Sequence, residues 1–342
     1  MEAKKKIQVL STISLTDEQI QKIKSVSDQI HLEVFRSKDT SKIPDEVWRK
    51  AEVLLIGSRY LPPIEKVPDL RWIQSSWAGI ETFLDDPILQ QKNIQLTSSS
   101  GAMVSQLGEF AIMMMLMLGH KMPAMIKAQH EKHWVEDKFV SLQPRELRGS
   151  TVGIVGDGSI GREIARHLHQ YGATVLATKR DVMHPEDKGY VPKGLGDPHG
   201  DFFERLYPIE GLEGMLKDCD FVVVTMPATK DTNQLFTEKT FNAMKPGALF
   251  VNISRGSLVD ENALLNALNS GHLGGAALDV FSEEPLPAES PLWSNPKIII
   301  TPHLAGYSPN MMNQVITLFI ENLKRYVNQE ELYNLINLQQ GY

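Results

Sequence analysis

The chain has one cysteine, Cys219, in 342 residues. A single thiol excludes an internal disulfide framework and any zinc site built on cysteines, and it suits a reducing compartment. Basic residues are not in excess: 35 Lys and Arg stand against 42 Asp and Glu, for a net charge of −7. That balance gives no electrostatic footprint for nucleic acid or an anionic membrane. Long hydrophobic runs are missing as well. The most apolar helix-like stretch, "AIMMMLMLG" from Ala111 to Gly119, is about half of the roughly 20 residues that a spanning helix needs, so it reads as a buried helix whose methionines fill the core. No apolar signal-peptide core follows the opening "MEAKKKIQVL". A cytoplasmic protein with neither nucleic-acid nor membrane partner is expected.

What the chain does have is β/α alternation, twice over. Short apolar runs at Ile7–Ser11, His31–Phe35, Val53–Gly57, Arg71–Ser76 and Ile94–Ser99 read as strands, with helical spacing over Asp17–Val26 and Asp45–Ala51. A long helical stretch follows, from about Val104 to Trp134. The alternation restarts at "TVGIVG" (Thr151–Gly156) and continues through "ATVLATK", "CDFVVVTMP", "ALFVNIS", "GAALDVF" and "KIIITPH". Near-continuous Val, Ile, Leu and Phe in these runs predict parallel strands buried on both faces. Two independent series predict two α/β domains. The last helical stretch, Pro309–Val327, could close either one. Asp181–Pro208, rich in Gly, Pro and Asp, is long for a βα connection and reads as a surface loop, a lid or a partner contact.

Gly156, Gly158 and Gly161 form G-x-G-x-x-G directly after a strand and at the start of a helix, with Ile160, Ile164, Ala165 and Leu168 on its apolar side. The first glycine permits a tight turn, the second a close backbone approach to a pyrophosphate, and the third helix–strand packing. A dinucleotide would set its pyrophosphate against the helix N-terminus. The end of the next strand, where an acid binds a ribose 2′-hydroxyl in NAD sites, instead holds Thr178, Lys179 and Arg180. Such bases attract a 2′-phosphate that an acid would repel. NADP(H) is therefore the preferred cofactor, with NAD(H) also admitted.

Three blocks end predicted strands, where open α/β sheets place their chemistry: "NISRGSLVD" around Arg255, "DVFSEEP" around Glu284 and "TPHLAG" around His303. Arginine can grip a carboxylate and polarise a carbonyl. Histidine can exchange a proton with that oxygen, and glutamate can hold the imidazole and favour its protonated form. His130 and His133 are three apart on a helix with no third ligand nearby, so they read as a solvated face, and no metal site is expected. Cys219, just before a strand, reads as a partly buried structural residue.

With "LRGSTVGIVGDGSIG", "KPGALFVNISRGSLVDENAL", "GGAALDVFSEEPLP" and "ITPHLAG" in this order, the chain resembles the D-isomer-specific 2-hydroxyacid dehydrogenase family from about Leu147 to Tyr307. The resemblance is weaker in "SSWAGIETF" and "SQLGEFAIMMML". It implies two Rossmann-like doubly wound parallel-sheet domains with the active site in the cleft between them. Residues 1–117 and 308–342 would form a discontinuous substrate domain, and 118–307 the dinucleotide-binding domain. Arg255, Glu284 and His303 would be catalytic, and Trp77, Ala78 and Gly79 would join Arg255 in binding substrate. Further cofactor contacts are implied at Ser159, Ile160, Met226, Pro227, Thr232, Ile253, Ser254, Asp279, His303 and Gly306, and the assembly would be a homodimer. The Lys179–Arg180 pair is similar to the NADPH-preferring reductases of glyoxylate and hydroxypyruvate. The expected function is hydride transfer between NADP(H) and small 2-keto or D-2-hydroxy acids. A non-enzymatic NADP(H)-sensing module and a formate dehydrogenase on the same fold are the alternatives.

Overall fold

The computed structural model describes residues 6–35, 40–58, 61–90 and 93–338. The chain divides into two compact units, one of residues 1–103 with 308–342 and one of residues 104–307.

In the first unit, β1 (Ile7–Ser11), β2 (Ile30–Val34), β3 (Val53–Ile56), β4 (Trp72–Ser75) and β5 (Gln95–Thr97) form a wholly parallel sheet in the order β2-β1-β3-β4-β5. Alternate residues feed opposite faces. Val53, Leu55 and Trp72 join one apolar cluster, and Leu54, Ile56 and Ile73 join another, as a sheet covered on both sides requires. Helix α1 (Asp17–Lys24) starts in a capping box: the Thr16 hydroxyl accepts from the Gln19 N–H, and the Gln19 side chain accepts from the Thr16 N–H. Helix α2 (Asp45–Lys50) follows, with Trp48 as its buried residue.

The second unit opens with α3 (Val104–Gly119), α4 (Met122–His130) and α5 (Lys138–Ser141). Its sheet is built from β6 (Thr151–Val155), β7 (Thr174–Thr178), β8 (Arg205–Tyr207), β9 (Phe221–Val224), β10 (Ala248–Asn252), β11 (Leu273–Leu278) and β12 (Ile298–Ile300). The order is β12-β11-β10-β9-β6-β7-β8, all parallel. Helix α6 (Ser159–Tyr171) joins β6 to β7, α7 (Leu212–Leu216) leads to β9, α8 (Glu238–Ala243) to β10, and α9 (Glu261–Asn269) to β11. Phe236, Phe241 and Phe250 meet edge-on or tilted, with centroids 4.9–5.7 Å apart, in the core on one face of this sheet. Cys219 is fully buried rather than partly so. Burial, helped by the neighbouring Asp218 and Asp220 charges, pushes its thiol up to about 12, which leaves it inert as a nucleophile.

Two expectations about organisation change. The domain boundary expected at residue 117 falls inside α3, whereas the units divide between Met103 and Val104. Helix α3 packs on β10, β11 and α6, and Gly275 leaves room for Leu118 against the sheet, so the whole helix goes with the second unit. Its methionines are not all core: Met114 and Met115 are buried, but Met113 is exposed. The C-terminal helix α10 (Met311–Asn328) closes the first unit. Its Phe319 and Tyr326 rings each lie 5.4 Å from Trp72, and the buried Asn322 donates to the Gln74 side chain at 3.1 Å.

The stretch from Asp181 to Pro208 is also more than a loop, since Arg205–Tyr207 form the edge strand β8 with Leu176 opposite Arg205. The rest is fastened to α6 by two adjacent buried ions. Arg162, 1% exposed, donates to the carbonyls of Asp157, Pro185 and Asp197 and to the Asp157 carboxylate. Glu163, 0% exposed, accepts from the Gly196 N–H at 2.6 Å and from Arg166 at 2.6 and 2.9 Å. Burial alone would raise the Glu163 pKa; hydrogen bonds from Arg166, His167 and Gly196 outweigh it and lower the value from 4.5 to about 2. Folded Glu163 thus binds its proton more weakly than the unfolded chain does. Its stabilisation is complete above pH 4.5 and is lost as pH falls towards about 2. Glu163→Gln is expected to lower the melting temperature at neutral pH and to flatten the acid limb between these values. Thermal melts across that window check it, and parallel curves for parent and variant would contradict it.

Candidate active site

The dinucleotide turn sits where the sheet order reverses, between β6 and β9, the place where doubly wound sheets open a crevice at their C-terminal edge. Gly156 has φ +112°, and a Cβ there would lie 2.7 Å from the Met226 nitrogen after β9. Only glycine fits the two strand ends so closely. The Gly156 N–H donates to the Thr178 hydroxyl at 3.0 Å, and the Thr225 hydroxyl donates to the Gly156 carbonyl at 2.7 Å. Gly158 is the N-cap of α6, and a Cβ there would meet nothing within 4 Å. Open space over the first turn of a 13-residue helix, where N–H groups lack intrahelical partners, fits a pyrophosphate. Ser159, Ile160 and Gly161 form that turn.

Several residues expected to touch cofactor also hold the loops around the turn. Thr178 is buried with its hydroxyl under the glycine turn. The Ser254 hydroxyl donates to the Met226 carbonyl, beside the buried Ile253. The Thr232 hydroxyl donates to the Pro227 carbonyl and accepts from the Thr229 N–H. Asp279, 2% exposed, accepts from the Thr301 hydroxyl and from the N–H groups of Leu304 and Ala305 at 2.7–2.9 Å. The Gly306 carbonyl accepts from the Gln106 side chain. Lys179 and Arg180 both follow β7, but they differ. Lys179 pairs with Asp157 at 2.9 Å, and Arg180 is exposed. Asp181, the next residue in the sequence, accepts from the Met183 N–H and lies 2.7 Å from His184 Nδ1.

The three chemical blocks fall at the ends of neighbouring strands. Arg255 follows β10, Glu284 follows β11 and His303 follows β12. His303 Nδ1 lies 2.7 Å from Glu284 Oε2, and Glu284 Oε1 accepts from the Phe281 N–H at 3.0 Å. The carboxylate is thereby fixed at both oxygens, which makes Nδ1 the protonated nitrogen and turns Nε2 into the one that exchanges a proton. His303 has φ +53°, and its N–H donates to the Asp279 carbonyl. The Asp279 carboxylate then gathers the next two residues, so one buried side chain sets the loop that carries the imidazole. Asn252 does the same for arginine: it donates to the Arg255 carbonyl and accepts from the Ser254 N–H, both at 3.0 Å. Neither role is visible in residue spacing.

Trp77, Ala78 and Gly79 lie on the other unit, after β4. Trp77 is not a core aromatic; it is 41% exposed, with its indole N–H donating to the Gly57 carbonyl at 3.1 Å. Among the described residues no three His, Cys, Asp or Glu side chains gather as a metal site, and no single helix is long and apolar enough to cross a membrane.

The family model described as "D-isomer specific 2-hydroxyacid dehydrogenase, NAD binding domain" matches residues 112–305, more than half of the chain. The chain belongs to this family. Its relatives include an (S)-sulfolactate dehydrogenase of Chromohalobacter salexigens, 30% identical over 77% of this chain and 79% of that protein. Another is glyoxylate/hydroxypyruvate reductase B of Klebsiella pneumoniae, 26% identical over 95% and 97%. Among solved structures, a D-isomer specific 2-hydroxyacid dehydrogenase of Xanthobacter autotrophicus in complex with NADPH and MES is similar, with TM-score 0.79 and 26% identity over 99% of this chain and all of that one. As a member, the protein is a CH–OH oxidoreductase that uses a nicotinamide cofactor.

Gly256, next to the family's arginine position, is the tightest point of the site. A Cβ there would overlap the Phe281 carbonyl group, so the arginine loop and the Phe281–Glu284 turn are packed backbone to backbone. Gly256→Ala is expected to cost at least about 3 kcal/mol, the upper end of ordinary overpacking, and to depress kcat as the two loops part. Denaturant melts and turnover measured together check it; a variant with parental stability and rate would refute the close packing.

Proposed function

We propose that the protein is an NADP(H)-preferring reductase of small 2-keto acids, of the glyoxylate or hydroxypyruvate kind, yielding D-2-hydroxy acids. The observation that carries the reading is the 2.7 Å contact between His303 Nδ1 and Glu284. A fixed imidazole–carboxylate pair serves a reaction in which a substrate oxygen gains or loses a proton. Oxidation of formate needs no such exchange, and a sensor module needs no proton relay at all.

The bound nicotinamide supplies the hydride chemistry. Arg255 holds the substrate carboxylate and draws charge onto the keto oxygen. His303 gives that oxygen the proton from Nε2, while Glu284 holds the ring and balances its positive charge. The backbone N–H groups of Ala78 and Gly79 serve the carboxylate, with Trp77 flanking them. The preference for NADP(H) is supported by exposed Arg180 at the end of β7 and by the engagement of Asp181 elsewhere. The reading extends to a cytoplasmic homodimer. Trp134, Phe139 and Val140, each about four-fifths exposed between α4 and the end of α5, supply apolar surface of the kind that marks an interface.

Arg255→Ala and His303→Ala are each expected to lower kcat/KM for glyoxylate or hydroxypyruvate by orders of magnitude while the fold persists. Near-parental turnover in either would end the assignment. Glu284→Gln keeps a polar partner but removes the carboxylate that fixes His303 Nδ1 and accepts from the Phe281 N–H. Turnover is then expected to fall through kcat more than through KM, because the imidazole loses its fixed orientation. A parental kcat would separate Glu284 from proton transfer. In the parent, NADPH is expected to outperform NADH mainly through KM, because a phosphate far from the hydride is bound alike in ground and transition states.

A further inference from the structure

The turn that follows β4 is tied to its own unit by two fully buried serines, Ser75 at the end of β4 and Ser99 just past the neighbouring β5. The Ser75 hydroxyl accepts from the Trp77 N–H at 3.1 Å. The Ser99 N–H donates to the Trp77 carbonyl at 2.9 Å, and its hydroxyl donates to the Ser75 carbonyl at 2.7 Å. A second donor, the side chain of buried Gln74, reaches that same carbonyl at 3.0 Å. Gln74 is held in turn, because its amide oxygen accepts from the Thr97 hydroxyl at 2.9 Å and from Asn322 of α10 at 3.1 Å. The Ser76 N–H donates to the Ile56 carbonyl at the end of β3.

We propose that Ser75 and Ser99 are positioning residues for substrate, which aim the Ala78 and Gly79 N–H groups at its carboxylate. This rests on the reading of those two N–H groups as carboxylate donors. A trans peptide is planar, so its N–H points away from its C=O. Holding the Trp77 carbonyl on the Ser99 N–H therefore sets the direction of the Ala78 N–H. Ser75 holds the other side of the same residue, at the Trp77 N–H, so the backbone is pinned on both flanks of Trp77. Direction matters because a hydrogen bond weakens steeply once its angle falls below about 120°. Contacts within the chain also spare substrate binding the entropy of ordering the turn. The carboxylate keeps its charge throughout hydride transfer, so donors aimed at it bind ground and transition states alike. Their loss falls on KM and not on kcat.

The test is steady-state reduction of glyoxylate and its inhibition by oxamate in the parent, Ser75→Ala, Ser99→Ala and Tyr326→Phe, with NADPH binding followed by calorimetry. Oxamate presents the same carboxylate but is not reduced. Each serine variant is expected to raise KM for glyoxylate and Ki for oxamate about fivefold, the scale of one neutral hydrogen bond. Their kcat and NADPH affinity should stay near the parent's. Tyr326→Phe removes the hydrogen bond to Glu52, which precedes β3 at the opposite edge of the same sheet. It is expected to lower Tm and leave KM and Ki alone. Parental KM and Ki in both serine variants overturn the proposal and leave the carboxylate reading standing. An equal rise in Tyr326→Phe also overturns it, since general loosening of the unit would then explain the effect. A parent that neither reduces glyoxylate or hydroxypyruvate nor binds oxamate overturns the reading of the site, and the proposal with it.

Discussion

The second unit depends on one close approach, that of the Gly156 turn to Met226 across the reversal of strand order. β6 has β7 on one side and β9 on the other, so the chains leaving β6 and β9 diverge and open a crevice at the C-terminal edge. The crevice is only as narrow as its closest backbones allow. With φ +112° and no room for a Cβ, Gly156 brings the two together, and the hydroxyls of Thr178 and Thr225 lock the turn from either side. The α6 N-terminus then lies over open space. The turn is held by contacts within the chain, which spares binding the cost of ordering it.

The catalytic edge follows the same logic with different atoms. Arg255, Glu284 and His303 come from three neighbouring strands, and none is aimed by its own strand alone. Asn252 clasps the arginine loop, the Phe281 N–H fixes Glu284, and Asp279 draws in the residues after His303. Each of these supports is a hydrogen bond between a side chain and backbone, and the Asn252 and Asp279 side chains are buried. Sites held this way keep their geometry within the narrow tolerance that proton transfer demands. Loss of a support should therefore misplace a reacting group without removing it.

The strand runs, the glycine turn and the three strand-end blocks were legible in the sequence because each follows from local spacing or from a short run of residue types. What the sequence does not display shares a different cause. Lys179 and Asp157 are 22 residues apart, and nothing in periodicity says that one neutralises the other. Asp279 and Thr178, expected as cofactor contacts, also satisfy backbone N–H groups of their loops, a role that spacing does not display. Strand β8 has three residues at the sheet edge after a Gly- and Pro-rich stretch, too few to display alternation. The boundary placed at residue 117 failed because one uninterrupted helical pattern runs across it, and only packing against β10 and β11 assigns α3 to the second unit.

The long connection between β7 and β8 shows how far such packing reaches. Arg162 and Glu163 are adjacent on α6, yet they hold opposite kinds of partner: one gathers carbonyls at Pro185 and Asp197, the other an N–H at Gly196. Swinging the segment away would leave a buried guanidinium and a buried carboxylate each short of partners, a cost that neither water nor the remaining contacts would fully offset while both stay inside. The segment is thus a fixed wall of the nucleotide unit and not a lid. Because Arg162 also binds the Asp157 carboxylate, the wall and the glycine turn share one guanidinium, and a change in the connection is transmitted to the turn through a single buried side chain.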